Sequence, residues 1–176
     1  HGYAEVCFVN IVALLQNDVA PFSLEFVNHN IVHNDYRNRQ AAAFVVGALI
    51  SVLGTGGGLS QPLNQVLPTI IKRMQLQDAN NGPAEPVACV RETATWVVAN
   101  VCMRRCEGID RGTLNTMLSA MLTTLKDKPR VAKMGATALF AFASMFEDQR
   151  EAPTNDLSNG IVRAIAEKLW EAVLRP

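Results

Sequence analysis

Two pairs of residues have the type and spacing of metal ligands. His29 and His33 lie four residues apart and would share one face of a helix, and Cys102 and Cys106 are one helical turn apart. No second pair stands near the cysteines at the spacing that a zinc site needs. We therefore interpret the histidines as a solvated helix end and the cysteines as buried free thiols, and we expect neither a metal nor a cofactor.

A glycine-rich stretch, GTGGGLSQP at residues 54–62, invites comparison with a phosphate-binding loop. A P-loop needs a strand before it and Gly-Lys-Ser/Thr at its end, whereas a helical pattern precedes this stretch and no lysine follows until Lys72. We interpret it as a turn between repeats. No nucleophile–base pair stands out elsewhere in the sequence, so we do not expect an enzyme.

The charge balance excludes several kinds of partner. The chain has 176 residues, with 16 Lys plus Arg and 16 Asp plus Glu, so its formal net charge is zero. Binding to nucleic acid or to an acidic membrane surface usually needs a positive excess, so we expect neither. The sequence contains no run of about 18 apolar residues and no signal peptide. Because it begins inside a helical pattern without an initiator Met, we expect an excised segment of a longer chain.

The stretch PVACVRETATWVVANVCMRRC, residues 86–106, has the pattern of one amphipathic helix. Apolar and small side chains recur in it at three- and four-residue steps, and Pro86 stands just before the first of them. Trp96 falls in its middle among small neighbours. From the residues alone, this indole either plugs the core, which we favour, or presents a flat amphipathic surface to a partner.

The same phrase occurs earlier in the chain. NDYRNRQAAAFVVGALISVL, residues 34–53, can be laid over it with Arg39 on Arg91 and Phe44 on Trp96, an offset of 91 minus 39, or 52 residues. Each phrase follows another helix-like run that contains a proline, Pro21 or Pro68. Related helix pairs at a spacing of about 40–50 residues are typical of HEAT-type and armadillo-type solenoids.

The sequence therefore predicts an all-α fold, a right-handed superhelix of about three and a half stacked helix pairs in one domain over residues 1–176. No two-residue alternation of apolar side chains predicts a strand. The second helix of each pair is expected to line the concave face. The predicted elements are a helix at 3–16, pairs at 18–53, 62–106 and 112–148, and a final helix at 158–175 that follows a polar linker at 149–160. Asn17 and Asp18 are expected to offer an N-cap to the helix at about 18–32, and Asp35 is expected to cap the helix at about 35–53.

Several phrases of the chain resemble the importin-β family, the nuclear transport receptors built of HEAT repeats. NDYRNRQAAAFVVGALI is similar to a family phrase that reads roughly N-P-D-W-R-x-R-x-A-A, and KPRVAKMGATALFAFAS resembles a P-R-V-A stretch. VLPTIIKRMQL followed by VRETATW resembles M-P-x-L-I followed by V-R-D-T-A-A-W. The V-R-x-T-A-x-W phrase is the most specific of these, and the resemblance runs nearly end to end.

The resemblance implies a binding surface on the inner helices. In the family, concave-face tryptophans take the Arg and Lys side chains of the basic importin-β-binding segment of importin-α, and Trp96 and Glu92 match an aromatic and an acidic position of that surface. The residues expected there are Trp96, Glu92, Asn100, Phe44, Gln40 and Phe140. Three of the family positions differ: Gln40 replaces an acidic residue, Tyr36 replaces Trp, and the next Trp corresponds to Phe140 if three residues are inserted or to Thr137 if not.

The resemblance also implies partners and location. It predicts binding of importin-α or other basic cargo, release when Ran-GTP binds, and shuttling between cytoplasm and nucleus through the nuclear pore. Contacts with the Ran GTPase and with Phe-Gly nucleoporins would be made by the longer parent chain. The alternative is a HEAT scaffold of another complex, such as another karyopherin or a phosphatase regulatory subunit, because the helical periodicity suits both.

Overall fold

The computed structural model describes residues 2–54, 60–76, 85–104 and 109–145. These residues form helices joined by turns, and they contain no strand, so the all-α prediction is confirmed. The helices are α1 (Gly2–Leu15), α2 (Ala20–Asn30), α3 (Tyr36–Leu53), α4 (Ser60–Arg73), α5 (Ala88–Met103), α6 (Arg111–Thr124) and α7 (Pro129–Ser144), with a short 3-10 helix at Gln16–Asp18.

The helices lie in two layers. In one layer α1 packs on α3, α3 on α5 and α5 on α7, and in the other α4 packs on α6. The layers are joined within each pair, since α2 contacts α3, α4 contacts α5 and α6 contacts α7. The core lies between the layers and consists mainly of Ala, Val, Leu, Ile and Met side chains. Every helix pair thus buries its apolar stripe against the next pair, as a solenoid requires.

The helix starts follow from local capping chemistry. Asp35 caps α3, as predicted, because its carboxylate accepts a hydrogen bond of 2.9 Å from the backbone N–H of Arg37. Asp110 caps α6 in the same way through Thr113, and Pro129 occupies the first turn of α7, where its missing N–H is harmless. The predicted cap of α2 by Asn17 or Asp18 is wrong. Both residues lie in the 3-10 helix, and Val19 precedes α2 without a side-chain cap.

The two histidines do not share a helix face, so that prediction is also wrong. His29 lies on α2, but the helix ends at Asn30 and His33 belongs to the turn that follows. The Nδ1 atom of His33 accepts a hydrogen bond of 3.0 Å from the backbone N–H of Asp35, the cap of α3. His33 therefore takes part in ordering the turn between the two helices.

Some sequence predictions fall outside the described residues. They concern most of the glycine-rich turn, Cys106, the polar linker before the last helix, and the predicted helix at 158–175. Within the described ranges no single helix is long and apolar enough to cross a membrane. α1 and α2 satisfy the length and composition only together, and the chain bends by 117° between them.

Candidate functional site

A run of three aromatic rings crosses the layer formed by α1, α3 and α5. The rings of Phe44 and Trp96 are stacked almost parallel, with 5.6 Å between centroids and 8° between planes. Phe8 meets the ring of Phe44 edge-on, at 6.3 Å and 60°. Phe44 stands nine residues after the Asp35 cap of α3 and Trp96 nine residues after Val87, which precedes α5. The two positions that the sequence repeat aligned, Phe44 and Trp96, therefore contact each other in consecutive repeats.

Gly47 creates the space in which the indole lies. A Cβ atom added at Gly47 would overlap the six-membered ring of Trp96, so the ring rests directly on the backbone of α3. Trp96 is half-buried and packs against the edge of the core. The two interpretations left open by the sequence thus both apply in part, because the indole fills a groove between helices and keeps part of its surface exposed.

Two polar side chains of the expected surface, Asn100 and Gln40, differ in their hydrogen bonds and in their exposure. Asn100 is 6% exposed and donates a hydrogen bond of 3.0 Å to the backbone carbonyl of Trp96, one turn earlier on α5. Gln40 reaches across from α3 and donates a long hydrogen bond of 3.4 Å to the hydroxyl of Thr93. Asn100 therefore offers little to a partner, whereas Gln40 lies between the two inner helices with part of its side chain exposed.

Glu92 lies one turn before Trp96 on α5, and its side chain is 23% exposed. Its Oε1 atom accepts a hydrogen bond of 3.2 Å from Nε of Arg130 on α7, and Nη2 of the same guanidinium lies 3.1 Å from it in an ion pair. The Arg130 side chain is 84% exposed. This carboxylate is consequently bound by a cation from the next repeat, at a position one helical turn before the indole.

Two buried arginines join consecutive repeats. Arg39 forms a bidentate pair with Glu85, with both distances 2.7 Å, and its third nitrogen donates to the carbonyls of His33 and Asn34. Arg91 forms the equivalent pair with Asp127 at 2.6 and 2.7 Å and donates to the carbonyl of Glu85.

The two pairs form a continuous ladder through the molecule. Glu85 links both steps, since its carboxylate binds Arg39 and its carbonyl binds Arg91. Arg39 and Arg91 occupy the same position of successive repeats, and each carboxylate lies in the connection between the helices of a later pair. The sequence repeat already aligned these arginines, but sequence reasoning missed their role, because nothing local marks Glu85 and Asp127 as their partners.

The ladder changes how readily its members ionise. The hydrogen bond from Arg91 holds the pKa of Asp127 below its usual value, in spite of the opposing effect of burial. At the other step, the hydrogen bonds that Arg39 donates to the carboxylate of Glu85 raise the pKa of Arg39. Arg73, which lies 3.3 Å from Glu85, has a lowered pKa because burial disfavours its charged form. The ion pairs thus favour the charged forms of Arg39 and Asp127, whereas burial disfavours the charged form of Arg73.

Comparisons with known proteins identify the family. No family model matches the chain. The importin subunit beta-1 of Schizosaccharomyces pombe is 30% identical over 124 residues, 69% of this chain. That of Saccharomyces cerevisiae is 31% identical over 113 residues, or 62% of the chain. The chain belongs to the importin-β family.

The importin-β relatives are much longer than this chain, which spans 13% and 12% of their lengths. A solved structure of Kap95p, described as binding RanGDP and inducing its switch loops to adopt the GTP-bound conformation, matches the fold with a TM-score of 0.80. The match covers 98% of this chain and 18% of Kap95p at 24% sequence identity. The chain is therefore a HEAT-repeat solenoid segment, as the sequence predicted.

The importin-β resemblance left two alignments open for the aromatic position of α7, Phe140 or Thr137. Lys128 precedes α7 as Val87 precedes α5, and nine residues further along is Thr137. Phe140 stands twelve residues after Lys128, in the register of Gly47 on α3, and is 75% exposed. The helix register thus places Thr137 at the position of Trp96 and leaves Phe140 as an exposed aromatic one turn away.

Proposed function

We propose that this segment binds a basic helical peptide, such as the importin-β-binding segment of importin-α, along the surface of α3, α5 and α7. The observation that carries the proposal is the half-buried Trp96, stacked on Phe44, with the carboxylate of Glu92 one turn away. An indole beside a carboxylate suits a guanidinium or ammonium group, since both attract a cation. Membership of the importin-β family supports the same partner.

Trp96 and Glu92 would make different contacts with a cation of the peptide. One face of the indole is taken by Phe44, so a guest cation would approach the part of Trp96 that remains exposed. Such a contact contributes roughly 0.5–2 kcal/mol. Glu92 would add a charge-assisted hydrogen bond on the same side of α5. Affinity would then come from several modest contacts along the layer.

The test is fluorescence anisotropy of a labelled basic adaptor peptide titrated with the full 176-residue chain. Glu92→Gln and Trp96→Phe are expected to weaken binding about three- to tenfold, because one removes the charge and the other reduces the ring that attracts the cation. Trp96→Ala should weaken it further, but it also opens a cavity beside Gly47, so circular dichroism must first show that this variant folds.

Phe22→Ala is the matched control, since it removes an aromatic side chain that is 75% exposed but lies on α2, outside the proposed surface of α3, α5 and α7, and it should leave the affinity unchanged. Affinity that is unchanged in Glu92→Gln and Trp96→Phe would remove both residues from the site. A peptide that binds no version of the chain would reject the proposal. Recovery of phosphatase catalytic subunits and no importin-α in a pull-down would instead support the alternative of a HEAT scaffold for another complex.

For the longer parent protein we propose a nuclear import cycle between cytoplasm and nucleus in which Ran-GTP releases the cargo. The described binding of RanGDP by Kap95p, whose fold this chain shares, supports a Ran contact. Binding of Phe-Gly nucleoporins belongs to the same proposal. An import assay with the full-length protein tests it, and nuclear accumulation that is independent of Ran would contradict it.

A further inference from the structure

The contact between Glu92 and Arg130 brings a cation of the chain itself onto the proposed binding surface. Both Nε and Nη2 of Arg130 lie within 3.2 Å of Oε1 of Glu92. The two residues belong to α5 and α7, and they are 38 positions apart in sequence. The guanidinium of Arg130, which comes from the neighbouring repeat, therefore binds the carboxylate of Glu92 as an arginine of a bound peptide would.

This pair differs from the arginine–carboxylate pair made by the preceding residue of the same helix, Arg91. Arg91 and Asp127 have side chains only 1% and 5% exposed, whereas Arg130 is 84% exposed. A buried bidentate pair is costly to break, whereas a pair with an exposed arginine contributes little because water and salt compete with it. Arg130 can consequently leave Glu92 without disturbing the packing of α5 on α7.

We propose that Arg130 is an internal competitor, a placeholder cation that occupies Glu92 in the empty solenoid and is displaced by an arginine or lysine of the incoming basic peptide. The inference rests on the proposed function, and it adds a regulatory role for a residue outside the predicted site. Arg130 keeps the carboxylate paired when no guest is present. It also lowers the affinity for cations that cannot make additional contacts with the aromatic stack.

The neighbouring charges give the test a matched control. Lys133 follows Arg130 by three residues on α7 and is also exposed. Its replacement by alanine removes the same charge from the same region. If only the general positive potential of α7 repels the peptide, Arg130→Ala and Lys133→Ala should have the same effect. If Arg130 competes directly, its removal should have the larger effect and should depend on Glu92.

The experiment measures the Kd of a basic helical peptide for the wild-type chain and for Arg130→Ala, Lys133→Ala, Glu92→Gln and the double variant Glu92→Gln/Arg130→Ala. Arg130→Ala is expected to tighten binding about two- to fivefold at low salt, the range of an exposed ion pair. Lys133→Ala should change it less than twofold. In the Glu92→Gln background the gain from Arg130→Ala should disappear.

Each outcome separates this inference from the proposed function. A wild-type chain that binds the peptide and loses affinity in Glu92→Gln, but gains nothing from Arg130→Ala, overturns the competitor role and leaves the binding surface standing. A gain of equal size in Lys133→Ala, or one that persists without Glu92, also overturns it. No binding by any of the five proteins rejects both proposals. Since Arg130 is exposed, unchanged circular dichroism of Arg130→Ala confirms that the comparison concerns folded chains.

Discussion

Trp96 lies flat on Phe44, and the two rings come from the same register of consecutive helix pairs. The stack is therefore a contact between repeats that also shapes the surface proposed to bind a basic peptide. Because the indole rests on the backbone at Gly47, the geometry of this surface depends on how closely α3 and α5 approach. A substitution at Gly47, on the buried side of the stack, should therefore shift the exposed part of Trp96.

Gly47→Ala is expected to destabilise the chain by about 1–3 kcal/mol, because the new methyl group overlaps the six-membered ring of Trp96 and forces the two helices apart. In a Trp96→Ala background the same substitution should stabilise the chain by about 0.5–1 kcal/mol, since Ala favours a helix interior over Gly. Urea unfolding followed by circular dichroism measures both changes. The same sign in the two backgrounds would contradict direct packing of the indole on Gly47.

Asp127→Asn is expected to cost about 3–5 kcal/mol, because it leaves the guanidinium of Arg91 buried without its charged partner. The matched control is Glu92→Gln, which removes a carboxylate whose arginine is exposed and should cost less than about 1 kcal/mol. Both values come from urea unfolding at neutral pH. Equal costs would show that the ladder contributes no more than a surface ion pair.

The Arg91–Asp127 pair also predicts a pH dependence. The folded-state pKa of Asp127 is held below the value of about 3.9 for an unfolded chain, so the folded state keeps the carboxylate ionised at pH values where the unfolded state binds a proton. Its stabilising contribution is therefore complete above about pH 5 and is lost as pH falls through the folded pKa. The difference in unfolding free energy between the wild type and Asp127→Asn should shrink below about pH 4.

This difference isolates Asp127 from the other carboxylates. Asp110 has a pKa lowered in the same direction by hydrogen bonds from Thr113, but it contributes equally to both proteins and cancels. The measurement is a series of urea titrations between pH 7 and pH 3. A difference that stays constant over this range would show that the ion pair with Arg91 does not lower the pKa of Asp127.

Asp35→Ala is expected to destabilise the chain by about 0.5–2 kcal/mol, because the backbone N–H of Arg37 at the start of α3 loses its acceptor. Asp18→Ala serves as the control, since Asp18 lies in the 3-10 helix and does not cap α2. Its effect should stay within about 0.5 kcal/mol. Thermal unfolding measures the stability of the two variants. A larger loss of stability in Asp18→Ala than in Asp35→Ala would contradict the conclusion that Asp35, and not Asp18, caps a helix.

The local patterns of the sequence were sufficient for the helices and for the pairing of repeats. Apolar side chains at three- and four-residue steps, the Asp35 cap and Pro129 each act within one or two turns of chain, so they can be recognised without knowledge of the fold. The prediction failed at α2, where a 3-10 helix takes up Asn17 and Asp18, and at His33, which lies beyond the helix end.

For the site, the sequence by itself determined that α3 and α5 share an arginine and an aromatic residue five positions later, and that α5 carries the V-R-x-T-A-x-W phrase that resembles the family. Only the tertiary structure decided what these residues touch. Arg39 reaches Glu85 across 46 positions, Arg91 reaches Asp127 across 36, and Trp96 rests on Gly47. The physical reason is that helix periodicity is encoded within a few residues of chain, whereas partners in different repeats are selected by the distance and register at which the helices pack.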